Sequence, residues 1–113
     1  MSNLEQKVEL LKPLDLAEIN HEFRTIAAAN NWQAYHTPKN LASAVAVEAS
    51  ELLAEFQWLS AEESSTLTAE QRLQVADEIA DILMYLTELS VQLNIDMADA
   101  LQSKIKKNKL RFT

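Results

Sequence analysis

Two short acidic patterns could do chemistry in this chain: Glu48 and Glu51 in VEASELLAEFQW, and Glu78 and Asp81 in DEIADILMYL. Each pair is spaced i, i+3, which on a helix puts both carboxylates on one face. At about 100° per residue, Leu41, Val45, Leu52 and Leu59 fall within roughly 60° of Glu48, so this acid interrupts an apolar stripe. Val75, Ile82, Tyr85 and Leu89 lie within roughly 60° of Glu78 in the same way, with Asp81 at the edge of the stripe. Burying an unpaired carboxylate is costly, and clustered carboxylates also repel one another. Something positive must offset them. Lys or Arg reaching across a bundle is one answer, but the segment from Asn40 to Trp58 holds neither, and none follows Arg72 before Leu93. A divalent cation is the better answer, and hard oxygen donors point to Mg²⁺, with Mn²⁺ as a substitute. Zinc is disfavoured because there is no Cys and no ligand-spaced His. A di-iron bundle would need two Glu-x-x-His motifs, and only Glu18-x-x-His21 fits.

The elements that must position these acids are helices, because apolar residues recur at three- and four-residue spacing along almost the whole chain. A first helix is predicted over Leu14 to Asn30, with Leu16, Ile19, Phe23, Ile26 and Ala27 on its stripe, Pro13 and Asp15 as start signals and Asn30-Asn31 as a stop. The segment Trp32 to Lys39 mixes aromatics with a proline and reads as a loop. Asn40 is then the expected N-cap of a second helix reaching about Trp58, followed by a solvated connection from Ser60 to Leu67. Thr68 and Gln71 form a capping box that opens a third helix to about Leu93. Asp96 caps a fourth helix to about Leu110, whose last turns carry Lys104, Lys106, Lys107 and Lys109, the sign a helix C-terminus favours. The fold class is therefore all-α, four helices in a single domain over residues 1–113.

Composition narrows the function. The chain has 113 residues with Lys+Arg 10 against Asp+Glu 17, a net charge of -7, so a nucleic acid polymer is not an expected partner. Zero Gly excludes a Walker loop and a dinucleotide fingerprint, so phosphate chemistry here needs another device. Zero Cys excludes disulfides and a thiol nucleophile. No apolar run approaches the roughly 18 residues of a membrane span, and the N-terminus lacks a signal-peptide core. The expectation is a cytoplasmic protein with no membrane partner.

The run HTPKNLASAVAVEASELLAEFQW, followed by DEIADILMYL and then KIKKN, resembles the MazG-like all-α nucleoside triphosphate pyrophosphohydrolases, and within them the small dCTP-pyrophosphatase branch. The resemblance spans about Phe23 to Phe112. The acidic E-x-x-E…E-x-x-D pattern alone is moderately specific. It becomes strong when joined to W-x-x-x-H-x-P-K-N-L, F-Q-W and K-x-x-x-N. It implies that Glu48, Glu51, Glu78 and Asp81 hold Mg²⁺, and that Trp32 and Trp58 flank a nucleotide base, a use that suits flat aromatic faces. It further implies that His36 lies near the substrate and that Lys104 and Asn108, on one face of the last helix, engage a triphosphate. Each has a plainer reading: a Trp at a helix end as core, a loop His as surface. Tyr85, one turn beyond Asp81, could reach a phosphate oxygen or be a core tyrosine. Glu55 shares the acidic face and could support the metal or stand in solvent. Phe23 stands where several relatives place a histidine.

The function implied is Mg²⁺-dependent hydrolysis of a nucleoside triphosphate to monophosphate and pyrophosphate, with dCTP among the preferred substrates of a dNTP house-cleaning enzyme. A carboxylate of the four orients or deprotonates the attacking water; the sequence does not single one out, and Glu51 is the candidate catalytic base. The competing reading is a non-catalytic helical module that oligomerises or docks a partner helix through the same stripes. Acids within the stripe argue against it, since a mere packing surface avoids them. Oligomerisation is compatible with catalysis, and the long stripes of the second and third helices predict a homodimer or homotetramer with bundle packing.

Overall fold

The computed structural model describes Leu4 and residues 7–113; of the expected 1–113 domain, residues 1–3, 5 and 6 lie outside the described residues. Among the described residues five helices follow one another: α1 (Leu16–Ala29), α2 (Pro38–Ala54), α3 (Ala61–Ser64), α4 (Ala69–Gln92) and α5 (Met97–Phe112). Short 3-10 turns occupy Val8–Leu10 and Gln33–Tyr35, and there is no strand among the described residues. The all-α reading holds, and the described residues add the short helix α3 to the expected four.

Local chemistry sets the boundaries. Asp15 caps α1 by accepting from the Glu18 amide, and Asp96 caps α5 by accepting from the Asp99 amide. Thr68 and Gln71 close the expected capping box on α4. Two boundaries differ from expectation. The N-cap of α2 is Thr37, not Asn40: the Thr37 hydroxyl accepts from the Asn40 amide and Pro38 takes the first helical position, where its missing N–H costs nothing. Asn40 instead donates its side-chain amide to the Tyr35 carbonyl, tying the preceding loop to the helix. At the other end α2 stops at Ala54 and not near Trp58, because the chain tightens into i→i+3 turns, Phe56 N to Leu53 O at 2.9 Å and Leu59 N to Phe56 O at 2.9 Å. The connection after Ser60 also contains α3, made by a second capping box in which Ser60 and Glu63 satisfy each other's backbone amides.

Helix exits in a chain without glycine fall to asparagine. Asn31 (φ 59°) and Asn94 (φ 55°) take the left-handed conformation after α1 and α4. Behind each, the next amide reaches back a full turn: Trp32 N to Ala27 O and Ile95 N to Ser90 O, both at 2.9 Å. The first of these closures fixes where Trp32 leaves α1.

Helices α2 and α4 make the most extensive contact, and α1 packs across α4. Buried apolar residues are Phe23 and Ala27 of α1 and Leu41 of α2. The stripe of α1 is thus centred on Asn20, Phe23 and Ala27, while Ile26 is half exposed. Beyond Met97, α5 stands clear of the body, with Asn108 half-buried and the other residues from 98 to 113 exposed. The molecule spans 45 × 38 × 24 Å with a radius of gyration of 16.6 Å, against about 13 Å for a compact chain of this length. No described helix is long and apolar enough to cross a membrane.

Candidate functional site

The seam between α2 and α4 gathers the acids. One carboxylate oxygen from each of Glu48, Glu78 and Asp81 lies within 4.8 Å of the others, an arrangement that could hold a metal ion. All three residues are half-buried, because each sits on the helix face turned toward the partner helix. The Oε2 atoms of Glu48 and Glu78 are buried and have no hydrogen-bond partner. Two buried carboxylate oxygens without a partner in one helix seam are unfavourable on their own and are hard donors of the kind a cation such as Mg²⁺ takes. Among the described residues no ion pair reaches the cluster, so no lysine or arginine neutralises it.

Proton affinity records the crowding. The Glu48 carboxyl is pushed up to about 7, first by its hydrogen bond with Glu78, then by burial and by the charges of Glu51, Glu78 and Asp81. Burial also raises Asp81, helped by the charges of Asp77 and Glu51. The Tyr85 hydroxyl is raised by burial and by Glu48, Asp81 and Glu51, which keeps it a proton donor beside the cluster. Glu51 is exposed and stands outside the converging trio, yet its charge acts on Glu48, Asp81 and Tyr85.

Next to Tyr85 is an aromatic wall. The rings of His36 and Phe23 stack at 5.4 Å with 21° between planes, and Tyr85 meets both edge-on, at 5.4 Å from Phe23 and 6.2 Å from His36. Trp32 joins at 6.5 Å from His36 and is about half exposed. The structure therefore brings Trp32, His36 and Tyr85 together and adds Phe23. Trp58 lies in the turn after α2, is 85% exposed and stacks on no ring among the described residues. Lys104 is exposed and Asn108 half-buried on the projecting α5. Glu55 is half-buried at the C-cap of α2, and Glu18 and His21 are exposed on α1.

One group escaped the sequence reading. Glu88, 5% exposed, accepts from Arg24 Nε (2.7 Å) and Nη2 (3.1 Å), from Asn20 Nδ2 (3.1 Å) and from Gln92 Nε2 (2.9 Å). Burial raises this carboxyl, but the hydrogen bonds from Arg24, Gln92 and Asn20 and the Arg24 charge outweigh it and hold the group below its ordinary value. The available signal was positional: at about 100° per residue Asp81, Tyr85, Glu88 and Gln92 all fall on one side of Glu78, so the polar edge of the α4 stripe continues for three turns.

With the geometry in place, comparison with known proteins is decisive on kinship. A profile of the MazG-like family matches residues 44–112, which include both acidic pairs and the Lys104–Asn108 face. The chain belongs to the MazG-like family. It is 32% identical over 100 residues to mouse (Mus musculus) dCTP pyrophosphatase 1 and 31% identical over 100 residues to the human (Homo sapiens) protein of that name, covering 87% of this chain in each case. The aligned region spans 57% of the length of these curated relatives. The crystal structure of an Archaeoglobus fulgidus pyrophosphatase is similar over 89% of this chain and 94% of that one, with a TM-score of 0.79 and 33% identity.

The raised Glu48 carboxyl has a stability consequence in the metal-free protein. A carboxyl whose affinity for protons rises from an ordinary 4.5 to about 7 on folding stabilises the fold below pH 4.5, and that contribution is lost as pH rises toward 7. Thermal unfolding in chelator should therefore show a Tm that falls between pH 5 and pH 8, and Glu48→Gln should flatten that part of the profile. Identical profiles for wild type and variant would remove Glu48 from the crowded cluster.

Proposed function

We propose that this protein hydrolyses nucleoside triphosphates to the monophosphate and pyrophosphate, with deoxynucleotides preferred and dCTP among the best substrates. The observation that carries the reading is the convergence of Glu48, Glu78 and Asp81 with two orphaned buried oxygens, in a MazG-like chain about a third identical to dCTP pyrophosphatases. These donors are hard oxygens, which fits Mg²⁺, with Mn²⁺ as a substitute. Mg²⁺ bound there would neutralise the triphosphate and offset charge developing at the attacked phosphorus.

The chain's own residues take the remaining roles. Glu51, the exposed carboxylate beside the trio, orients the attacking water and accepts its proton. The Tyr85 hydroxyl, held protonated, donates to a phosphate oxygen. Trp32 and His36 offer faces for the base, and Trp58 supplies a second face from the turn after α2. Lys104 and Asn108 engage the triphosphate from α5.

Since α5 stands clear of its own chain, we place that last contact in an assembled oligomer. Its exposed apolar residues Leu101, Ile105 and Phe112 recur at helical spacing, which suits packing against another copy. The accessible area supports assembly: the chain exposes 9138 Å², against about 6,200 Å² for a compact monomer of this mass. The excess of roughly 2,900 Å² per chain, about 5,800 Å² for a pair, is at the upper end of what obligate interfaces cover in total.

Three outcomes follow. Glu48→Gln, Glu51→Gln, Glu78→Gln and Asp81→Asn should each lower Mg²⁺-dependent pyrophosphate release from dCTP at least tenfold while the helical circular dichroism spectrum is kept; full activity in any two would refute the four-acid site. The ratio of kcat/KM for dCTP over CTP should be about 10 to 100, the penalty for leaving a ribose hydroxyl unpaired against an apolar wall. Equal values would mean that solvent reaches the sugar edge. Light scattering at micromolar concentration should give the mass of two or four chains, and a monomer would contradict the shared site.

A further inference from the structure

Arg24, Asn20, Glu88 and Gln92 have no part in the chemistry above, yet they form the most heavily hydrogen-bonded group in the described structure. Every oxygen lone pair that Glu88 can offer is taken: Oε1 by Arg24 and Asn20, Oε2 by Arg24 and Gln92. The two arginine contacts are parallel and bidentate, a geometry that fixes orientation as well as distance. Thr87 adds a further tie, its hydroxyl accepting from Asn20 at 3.3 Å and donating to the Met84 carbonyl at 2.7 Å. α1 and α4 are locked together here, and the lock lies beneath the aromatic wall.

What makes the group more than a helix fastening is Gln92. Its side-chain amide donates to Glu88 Oε2 at 2.9 Å and also to the backbone carbonyl of His36 at 2.6 Å, so both of its protons are used. The second bond leaves the helix pair and holds the loop between α1 and α2. That loop carries Trp32 and His36, and His36 stacks on Phe23 and meets Tyr85 edge-on. A cavity of about 130 Å³, lined by Phe23, Arg24, Gln33, His36, Glu88 and Gln92 among others, adjoins the loop and gives it room to shift if that bond is lost.

We propose that Glu88, held by Arg24 and acting through Gln92, is a positioning residue that sets the place of the His36 loop relative to the acidic cluster, and so fixes which base fits between the loop and the metal-binding seam. The inference rests on the nucleotide-hydrolysis reading and extends it to base selection. The fixed end is the buried carboxylate, the moving end is the loop carbonyl, and the glutamine amide is the strut between them. A strut of this kind touches no reacting atom. It therefore acts on substrate binding and base preference, leaving cation affinity and the chemical step in place.

Gln92→Leu removes both donated hydrogen bonds while keeping a side chain of similar size. In the full chain with Mg²⁺, it is expected to speed amide hydrogen exchange across residues 33–37 at least tenfold. KM for dCTP should rise at least fivefold with kcat within twofold, the Mg²⁺ concentration for half activity should be unchanged, and the kcat/KM ratio of dCTP over dTTP should fall toward one. Arg24→Lys keeps the charge but loses the bidentate geometry, and is expected to shift the same readouts in the same direction by a smaller factor; it carries the test should Gln92→Leu not fold. Unchanged loop exchange and unchanged KM in an active enzyme would overturn the strut alone. A fall in kcat together with weakened Mg²⁺ dependence would also overturn it, because the group would then be supporting the seam as a whole. A wild-type protein that releases no pyrophosphate from any nucleoside triphosphate would overturn the hydrolysis reading and, with it, the assignment of base selection.

Discussion

The fold is organised around uncompensated negative charge held between two helices. Glu48 comes from α2 and Glu78 and Asp81 from α4, their oxygens within 4.8 Å of one another, and none of the chain's ten basic residues forms an ion pair with them among the described residues. An apolar seam of the same shape would be more stable without these acids. Retaining them makes sense when a cation supplies the missing charge; under the proposed function the same ion reverses the local field, so that an acidic protein can take an anionic phosphate. The neighbouring features fit that constraint. Tyr85 is kept protonated by burial and by the charges of Glu48, Asp81 and Glu51, and it meets the rings of Phe23 and His36 edge-on.

Two acids on neighbouring helices, Glu48 of α2 and Glu88 of α4, behave in opposite ways, and the difference is the company each keeps. Glu48 has another acid as its hydrogen-bonding neighbour and is driven toward neutrality. Glu88, more deeply buried, has a guanidinium and two amides around it and stays ionised. Burial alone does not decide the charge state. Glu48 remains responsive to whatever cation arrives, whereas Glu88 is already saturated and serves as a fixed point for the helices and the loop.

Much of this was legible in the sequence because it depends on short-range rules. Acids at i, i+3 inside an apolar stripe located the seam, and Asp15, Thr68 and Asp96 marked three helix starts that the structure keeps. The end of α2 was not legible: Phe56 and Trp58 continue the helical pattern, but the chain tightens into successive turns there, which periodicity does not register. Thr37 is the weaker capping residue in isolation and Asn40 the better one, but Pro38 at the first helical position fixes the start three residues earlier. The Glu88 group was invisible for a different reason. Its partners Arg24 and Asn20 lie more than sixty residues away, and such pairings are set only when α1 and α4 pack. The stand-off of α5 also belongs to tertiary structure, since its sequence reads as an ordinary amphipathic helix.

If the three converging carboxylates hold the catalytic cation, the ion can be seen in place. The most direct measurement is anomalous diffraction from crystals soaked in Mn²⁺ with a non-hydrolysable dCTP analogue. An anomalous peak bonded to oxygens of Glu48, Glu78 and Asp81 is expected, with the triphosphate of the analogue on its open side. An empty seam at saturating Mn²⁺, or a peak elsewhere in the molecule with the analogue beside it, would contradict it.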